Sequence, residues 1–174
     1  MENEKDSEEL AGLFLMIYKY PKPIIAAVNG AAIAGGCGLA SVCDIIVAHP
    51  EHAKFGYSEV KIGFLPAIVS TFLIRRVGEG LARELLISGK IISGERAYKI
   101  GFANYLNNNA LDGAIEVASN INNNSSLSMK MTKNMIETVS NLSVDDSVNY
   151  CVRLNSVSRA SDDFKNGIKS FLKK

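Results

Sequence analysis

The chain has 174 residues, 47% of them hydrophobic, and a formal net charge of +1. That is apolar material enough for one globular domain with its own core, and the near-neutral charge leaves no electrostatic footprint for nucleic acid or a membrane surface. Cys37, Cys43 and Cys151 lack Cys-x-x-Cys spacing, which argues against a disulfide framework and for a reducing compartment.

Residues 7–20 read as an amphipathic helix, with Leu10, Leu13, Phe14 and Ile17 at helical spacing. Pro21 and Pro23 end it and hold the chain extended. The start is acidic, without a signal-peptide pattern, and the run Leu13 to Ile17 is too short to span a bilayer. A cytoplasmic protein with no membrane partner is expected. Residues 24–28 form a buried strand, 35–43 a short helix, 44–48 a second strand and 54–56 a shorter one. This alternation predicts an α/β core with parallel pairing.

Pro66 opens an apolar helix that runs to about Arg76; Gly78 and Gly80 break it, and residues 81–88 form another. Gly89-Lys90 is a turn, Ser93 is an N-cap with Glu95 in the first turn, and Gly101 closes that helix. Residues 103–106 read as a last strand, and Asn107-Asn108-Asn109 as a polar turn. Beyond Ala110 the pattern is helical over 110–121, 127–140, 144–157 and 161–172, with Ser161 capping the last helix and Asp162 and Asp163 in its first turn. The chain thus divides into an α/β core, 1–109, and a helical region, 110–174.

The segment from Pro23 to Asp44 carries the chemistry. An apolar run ends in the turn Ala34-Gly35-Gly36, and a helical segment follows at once. Bare backbone N–H groups at the positive end of a helix hold anions, and glycine lets another molecule approach them closely. The turn therefore reads as an anion or oxyanion cradle. It is not a P-loop, because Cys37 and Gly38 stand where Lys and Ser or Thr are required. A dinucleotide fingerprint matches only in relaxed form, with no acidic residue ending a second strand about 20 residues on.

Taken in order, several blocks resemble the crotonase family, also called the enoyl-CoA hydratase/isomerase superfamily. They are Lys22-Pro23-Ile24-Ile25-Ala26-Ala27-Val28-Asn29-Gly30, Ala34-Gly35-Gly36-Cys37-Gly38-Leu39-Ala40, and Cys43-Asp44-Ile45-Ile46-Val47-Ala48. Further matches are Phe55-Gly56-Tyr57-Ser58-Glu59-Val60-Lys61-Ile62-Gly63-Phe64-Leu65-Pro66, Arg76-Val77-Gly78, the run from Leu86 to Ala97, and Gly101-Phe102-Ala103. The resemblance implies a crotonase-like α/β fold of repeated strand–helix units, with C-terminal helices that build a homotrimer or a hexamer of two trimers. It implies an acyl-CoA thioester substrate, coenzyme A being part of that substrate and no separate cofactor or metal being needed. By the motif, Gly35 supplies an oxyanion N–H and Glu59 acts as general acid/base. Ala31, Ala34, Gly35, Ser58, Glu59, Pro66 and Ala67 are the implied substrate-binding positions.

Two departures qualify what carries over. Gly38 stands where well-studied hydratases hold a second glutamate, so the resemblance is to a methylglutaconyl-CoA-hydratase-like branch, with single-glutamate isomerase or decarboxylase chemistry as the alternative. A segment of the type Ala-Gly-Ala-Asp, expected to supply the other oxyanion N–H, has no match before Lys22, so N-terminal strands are expected to be missing and a non-catalytic subunit is a further reading. His49 and His52, at i and i+3 around Pro50, lack a third ligand nearby and read as a surface loop rather than a metal site. Lys165, Lys169, Lys173 and Lys174 read as a solvated helix face that could also assist with CoA phosphates.

Overall fold

In the computed structural model, residues 2–172 are described. Lys173 and Lys174 of the lysine-rich end lie outside them; Lys165 pairs with Asp162 at 3.6 Å on a helix surface. Short apolar runs form two three-stranded sheets. β1 (Ile25–Val28), β3 (Ile45–Ala48) and β6 (Tyr105–Leu106) make one parallel sheet in the order β1-β3-β6, with Ile25 opposite Ile45 and Val47 opposite Tyr105. β2 (Ala31–Ile33), β4 (Lys54–Gly56) and β5 (Ile91–Ser93) make the other in the order β2-β4-β5. There β2 runs parallel to β4, and β5 runs antiparallel to it. The expectation of parallel pairing holds except for this last pair. β2 and β5 go beyond the strands expected, because three residues are too few for a period-2 pattern to declare itself.

α1 (Glu2–Tyr18) begins earlier than expected. Of its apolar residues Phe14 is fully buried, while Leu10 and Leu13 remain 40% and 42% exposed. α2 (Gly35–Val42) connects β2 to β3. α3 (Ala67–Ser88) is two helical pieces that meet at Gly78, whose φ 77° and ψ 165° are not helical, so the break expected around Gly78 and Gly80 falls at Gly78. α4 (Gly94–Lys99) is capped by Ser93, whose hydroxyl accepts the Arg96 N–H at 3.3 Å, and Gly101 beyond its end has φ 76°.

Two asparagines fasten the first sheet over long sequence distances. Asn104 Oδ1 accepts the Ile46 N–H at 2.9 Å, and Asn29 Oδ1 accepts the Ala110 N–H at 2.8 Å, starting α5 (Ala110–Ile121).

The chain groups into two compact units, one up to Tyr20 plus Ile24–Ser119, the other Pro21–Pro23 plus the chain from Asn120 onward. α5 lies with the first unit, where Ala110 and Ala114 bury against Val47 of β3. The first unit's main core joins Phe14, Cys37, Ile46, Phe55, Tyr57, Phe72, Leu73 and Phe102. The second unit holds α6 (Ser126–Val139), α7 (Val144–Ala160) and α8 (Asp162–Phe171), capped by Ser125, Ser143 and Ser161. None of these three helices has a buried residue.

Candidate active site

The site is assembled by the β2–β4 ladder. Ile33 lies opposite Gly56, and one residue on, the Ala34 N–H donates to the Gly56 carbonyl at 2.8 Å. Ala34 is the one non-glycine residue with positive φ among the described residues (φ 52°, ψ −123°). Such a conformation costs an alanine about 1–3 kcal/mol and persists only where neighbours over-determine it. It turns the chain from strand to helix within one residue. The first bond of α2 runs from Gly38 N–H to the Ala34 carbonyl at 3.0 Å, so the N–H groups of Gly35, Gly36 and Cys37 have no acceptor inside the helix. Gly35 and Gly36 are exposed, and a Cβ built on either would meet nothing within 4 Å. This is an approachable positive helix end.

The partner strand delivers the carboxylate. Tyr57 follows Gly56 directly, is fully buried, and donates its hydroxyl to the Cys37 carbonyl at 3.5 Å. That contact ties the segment to the first turn of α2. Two residues later Glu59 opens a 3-10 helix (Glu59–Ile62), closed by Gly63 at φ 75° and by Phe64 N–H donating to the Glu59 carbonyl at 3.0 Å. Glu59 is only 7% exposed, and its Oε2 is buried with no hydrogen-bond partner. Native structures rarely leave a carboxylate oxygen so, and a catalytic role is one explanation for such a group. Burial pushes the Cys37 thiol up to about 12, and the nearby Glu59 adds in the same direction. Cys37 is therefore a neutral thiol and not a nucleophile. Burial likewise raises Tyr57, keeping it a neutral phenol.

Two further features frame α2. A Cβ on Gly38 would overlap Val69 Cγ1 and stand 3.2 Å from Phe14 Cε2. A side chain there requires Val69 and Phe14 to shift, so packing favours glycine at this position. At the other end of the helix, Arg76 donates to the carbonyls of Ser41 (3.0 Å), Cys43 and Phe102 (3.2 Å) and to Asn104 Oδ1 (3.4 Å). Burial lowers its pKa. Arg76 belongs to a motif visible in the sequence, but its clamping role was not; the Arg75-Arg76 pair between Phe72-Leu73-Ile74 and Val77 was the available signal.

The enoyl-CoA hydratase/isomerase family profile matches residues 2–174. The chain belongs to the enoyl-CoA hydratase/isomerase family. It is 39% identical over 99% of its length to a Thermus thermophilus protein that carries an enoyl-CoA hydratase name, and 32% identical over 93% to the 2,3-dehydroadipyl-CoA hydratase of Escherichia coli. The chain spans 69% and 64% of those relatives. The crystal structure of a Mycobacterium smegmatis enoyl-CoA hydratase superposes with a TM-score of 0.93 at 27% identity, covering 99% of this chain and 67% of that one. The crotonase-like α/β fold is thereby established.

Within this family member, the ladder brings Ala34, Gly35 and the Glu59 segment to one place. Ala31 starts β2 and is exposed; Ser58 precedes the 3-10 helix, its carbonyl accepting the Lys61 N–H at 3.0 Å. Pro66 is buried and Ala67 exposed at the start of α3, which packs against the 3-10 helix. His49 and His52 stack at 4.1 Å, and His49 Nδ1 accepts the N–H groups of Glu51 and His52. Among the described residues no cluster of three or more His, Cys, Asp or Glu could hold a metal ion, and no helix is long and apolar enough to cross a membrane.

Proposed function

We propose that this chain acts on an acyl-CoA thioester, adding water to an enoyl-CoA of the methylglutaconyl type. The buried, unpartnered Oε2 of Glu59 beside the bare first turn of α2 carries this reading. The Gly35 N–H donates to the thioester carbonyl oxygen as negative charge develops on it, a donor worth about 3–4 kcal/mol in the transition state. Glu59 moves the proton at the neighbouring carbon, worth roughly 10²–10⁴-fold in rate. Coenzyme A enters as part of the substrate, with no separate cofactor. Loss of the enoyl-thioester absorbance on adding purified protein tests the reading. Wild-type turnover that survives Glu59→Gln unchanged would refute it.

A second reading is favoured by one observation. The space at Gly38 is taken by Val69 and Phe14, so the site works with one carboxylate, as suits shifting a double bond or decarboxylation. Product analysis by mass spectrometry separates the two: hydration adds the mass of water, and isomerisation adds none. The uncovered apolar residues of α7, Val144, Val148, Val152 and Val157, support assembly into a trimer or a pair of trimers, which sedimentation of the purified chain tests.

A further inference from the structure

We infer that Gly89 is a positioning residue for Glu59: its missing side chain lets the turn from α3 to β5 seat against the 3-10 helix and fix where the carboxylate stands. This rests on reading Glu59 as the general acid/base. The Oε2 of Glu59 is buried without a hydrogen-bond partner, so no donor holds that oxygen and the packing of its own backbone must. That backbone is a single 3-10 turn, Glu59–Ile62, a form with poor hydrogen-bond geometry of its own. Its outer side gives little support, since Val60 and Ile62 are 39% and 84% exposed.

The turn Gly89-Lys90-Ile91 meets this segment both before and after the carboxylate residue. Before it, Gly56 pairs with Ile91 in the β4–β5 ladder, and a Cβ on Gly56 would stand 3.1 Å from Ile91 Cγ1 and 3.2 Å from the Lys90 carbonyl oxygen. After it, a Cβ on Gly89 would stand 2.9 Å from Val60 Cγ2 and 3.2 Å from Lys61 Cε. Gly89 is buried, although connecting turns ordinarily face solvent. The turn is itself anchored: the Gly89 N–H donates to the Leu85 carbonyl at 3.1 Å, the Lys90 N–H donates to Ser88 Oγ at 3.3 Å, and the Lys90 ammonium pairs with Glu84 of α3. A methyl at position 89 must therefore displace Val60, a β-branched side chain stiff at χ1, and with it the backbone next to Glu59. Glycine serves here for a second reason, its left-handed backbone at φ 58°. Gly101 separates the two reasons, because it has φ 76° and a Cβ on it would meet nothing within 4 Å.

The test takes Gly89→Ala, Gly101→Ala and the double variant Gly89→Ala with Val60→Ala in the full chain, and measures unfolding midpoints and steady-state kinetics on an enoyl-CoA. Both single variants are expected to lower the midpoint, since alanine is disfavoured in left-handed backbone. Only Gly89→Ala is expected to lower kcat, by about 10-fold with KM changed less than about twofold, because a misplacement of about 1 Å can cost about 10²-fold and this one is smaller. In the double variant kcat is expected to return to near the wild-type value, together with the part of the midpoint loss that exceeds that of Gly101→Ala. An unchanged kcat in Gly89→Ala overturns the inference, as does an equal loss in Gly101→Ala or a loss that Val60→Ala leaves in place. Should Gly89→Ala not fold, the double variant carries the test: folding with near wild-type kcat supports the inference, and folding with the loss, or no folding, overturns it. A wild-type chain without turnover defeats the proposed function instead, and the midpoints alone then decide whether the turn bears on the 3-10 helix.

Discussion

The two ends of α2 are treated in opposite ways. At the C-terminal end, the Arg76 guanidinium reaches the carbonyls of Ser41 and Cys43 and, across a gap in the chain, Phe102 and Asn104. A cation there also complements the negative pole of the helix. At the N-terminal end, Gly35 and Gly36 are exposed and their N–H groups precede the first helical bond. A helix of eight residues is about 12 Å long, so both ends belong to one rigid piece. The contrast is between an end of α2 held by a side chain far along the chain and an end whose N–H groups are left open.

The sharpest break of this contrast is at the open end. Glu59→Gln should reduce turnover of an enoyl-CoA by roughly 10²–10⁴-fold while leaving thermal stability at or above the wild-type level, since it replaces a buried carboxylate by a neutral amide. An equal loss of folded protein would mean that Glu59 is structural. At the clamped end, Arg76→Met leaves its buried carbonyl partners without a donor. A loss of about 2–5 kcal/mol in urea unfolding is expected, and one below 0.5 kcal/mol, within the range of an ordinary surface change, would remove the clamp from the comparison.

Between the ends, Gly38→Ala forces a methyl against Val69 and should cost about 1–3 kcal/mol. Val69→Ala in the same chain should recover part of it, a rescue measured by the same titration. The smallest effect near neutral pH comes from Cys37. Its folded pKa is raised from 9.0 to about 12, and Tyr57 is raised in the same sense from 10.0. The unfolded chain therefore releases these protons first. The Cys37 contribution is fully present below pH 9 and is lost as pH climbs from about 9 to 12, and that of Tyr57 declines only from about pH 10 upward. Cys37→Ala should flatten the start of that decline, as followed by unfolding midpoints across alkaline buffers.

How legible each part was depends on how local its cause is. The helices from Ala110 to Phe171 start and stop within about three residues of expectation, because serine caps and polar turns sit next to the backbone groups they serve. β2 and β5 escaped notice because their pairing with β4 is the reason they are strands. At the candidate site, the glycine turn and Glu59 stood out through their motif. The orphan oxygen of Glu59 did not, since a carboxylate in a loop-like stretch is ordinarily solvated, and its burial comes from contacts distant in sequence, α3 packing on the 3-10 helix and Tyr57 reaching Cys37. The fit of Val69 over Gly38 likewise joins residues 31 apart in sequence and leaves no mark on either segment.

The two asparagine fasteners of the first sheet have a consequence for how the chain reaches this state. Asn104 closes a loop of 58 residues onto Ile46, and Asn29 one of 81 residues onto Ala110. Neither closure is rewarded until both elements it joins are in place, and long closures of this kind slow folding. α2 and α3 can form from local contacts first, whereas β6 and the start of α5 can dock only when β1 and β3 already exist. Completion of the first sheet is therefore expected late in folding, with Asn104 latching the β6 end onto β3 and Asn29 docking the start of α5.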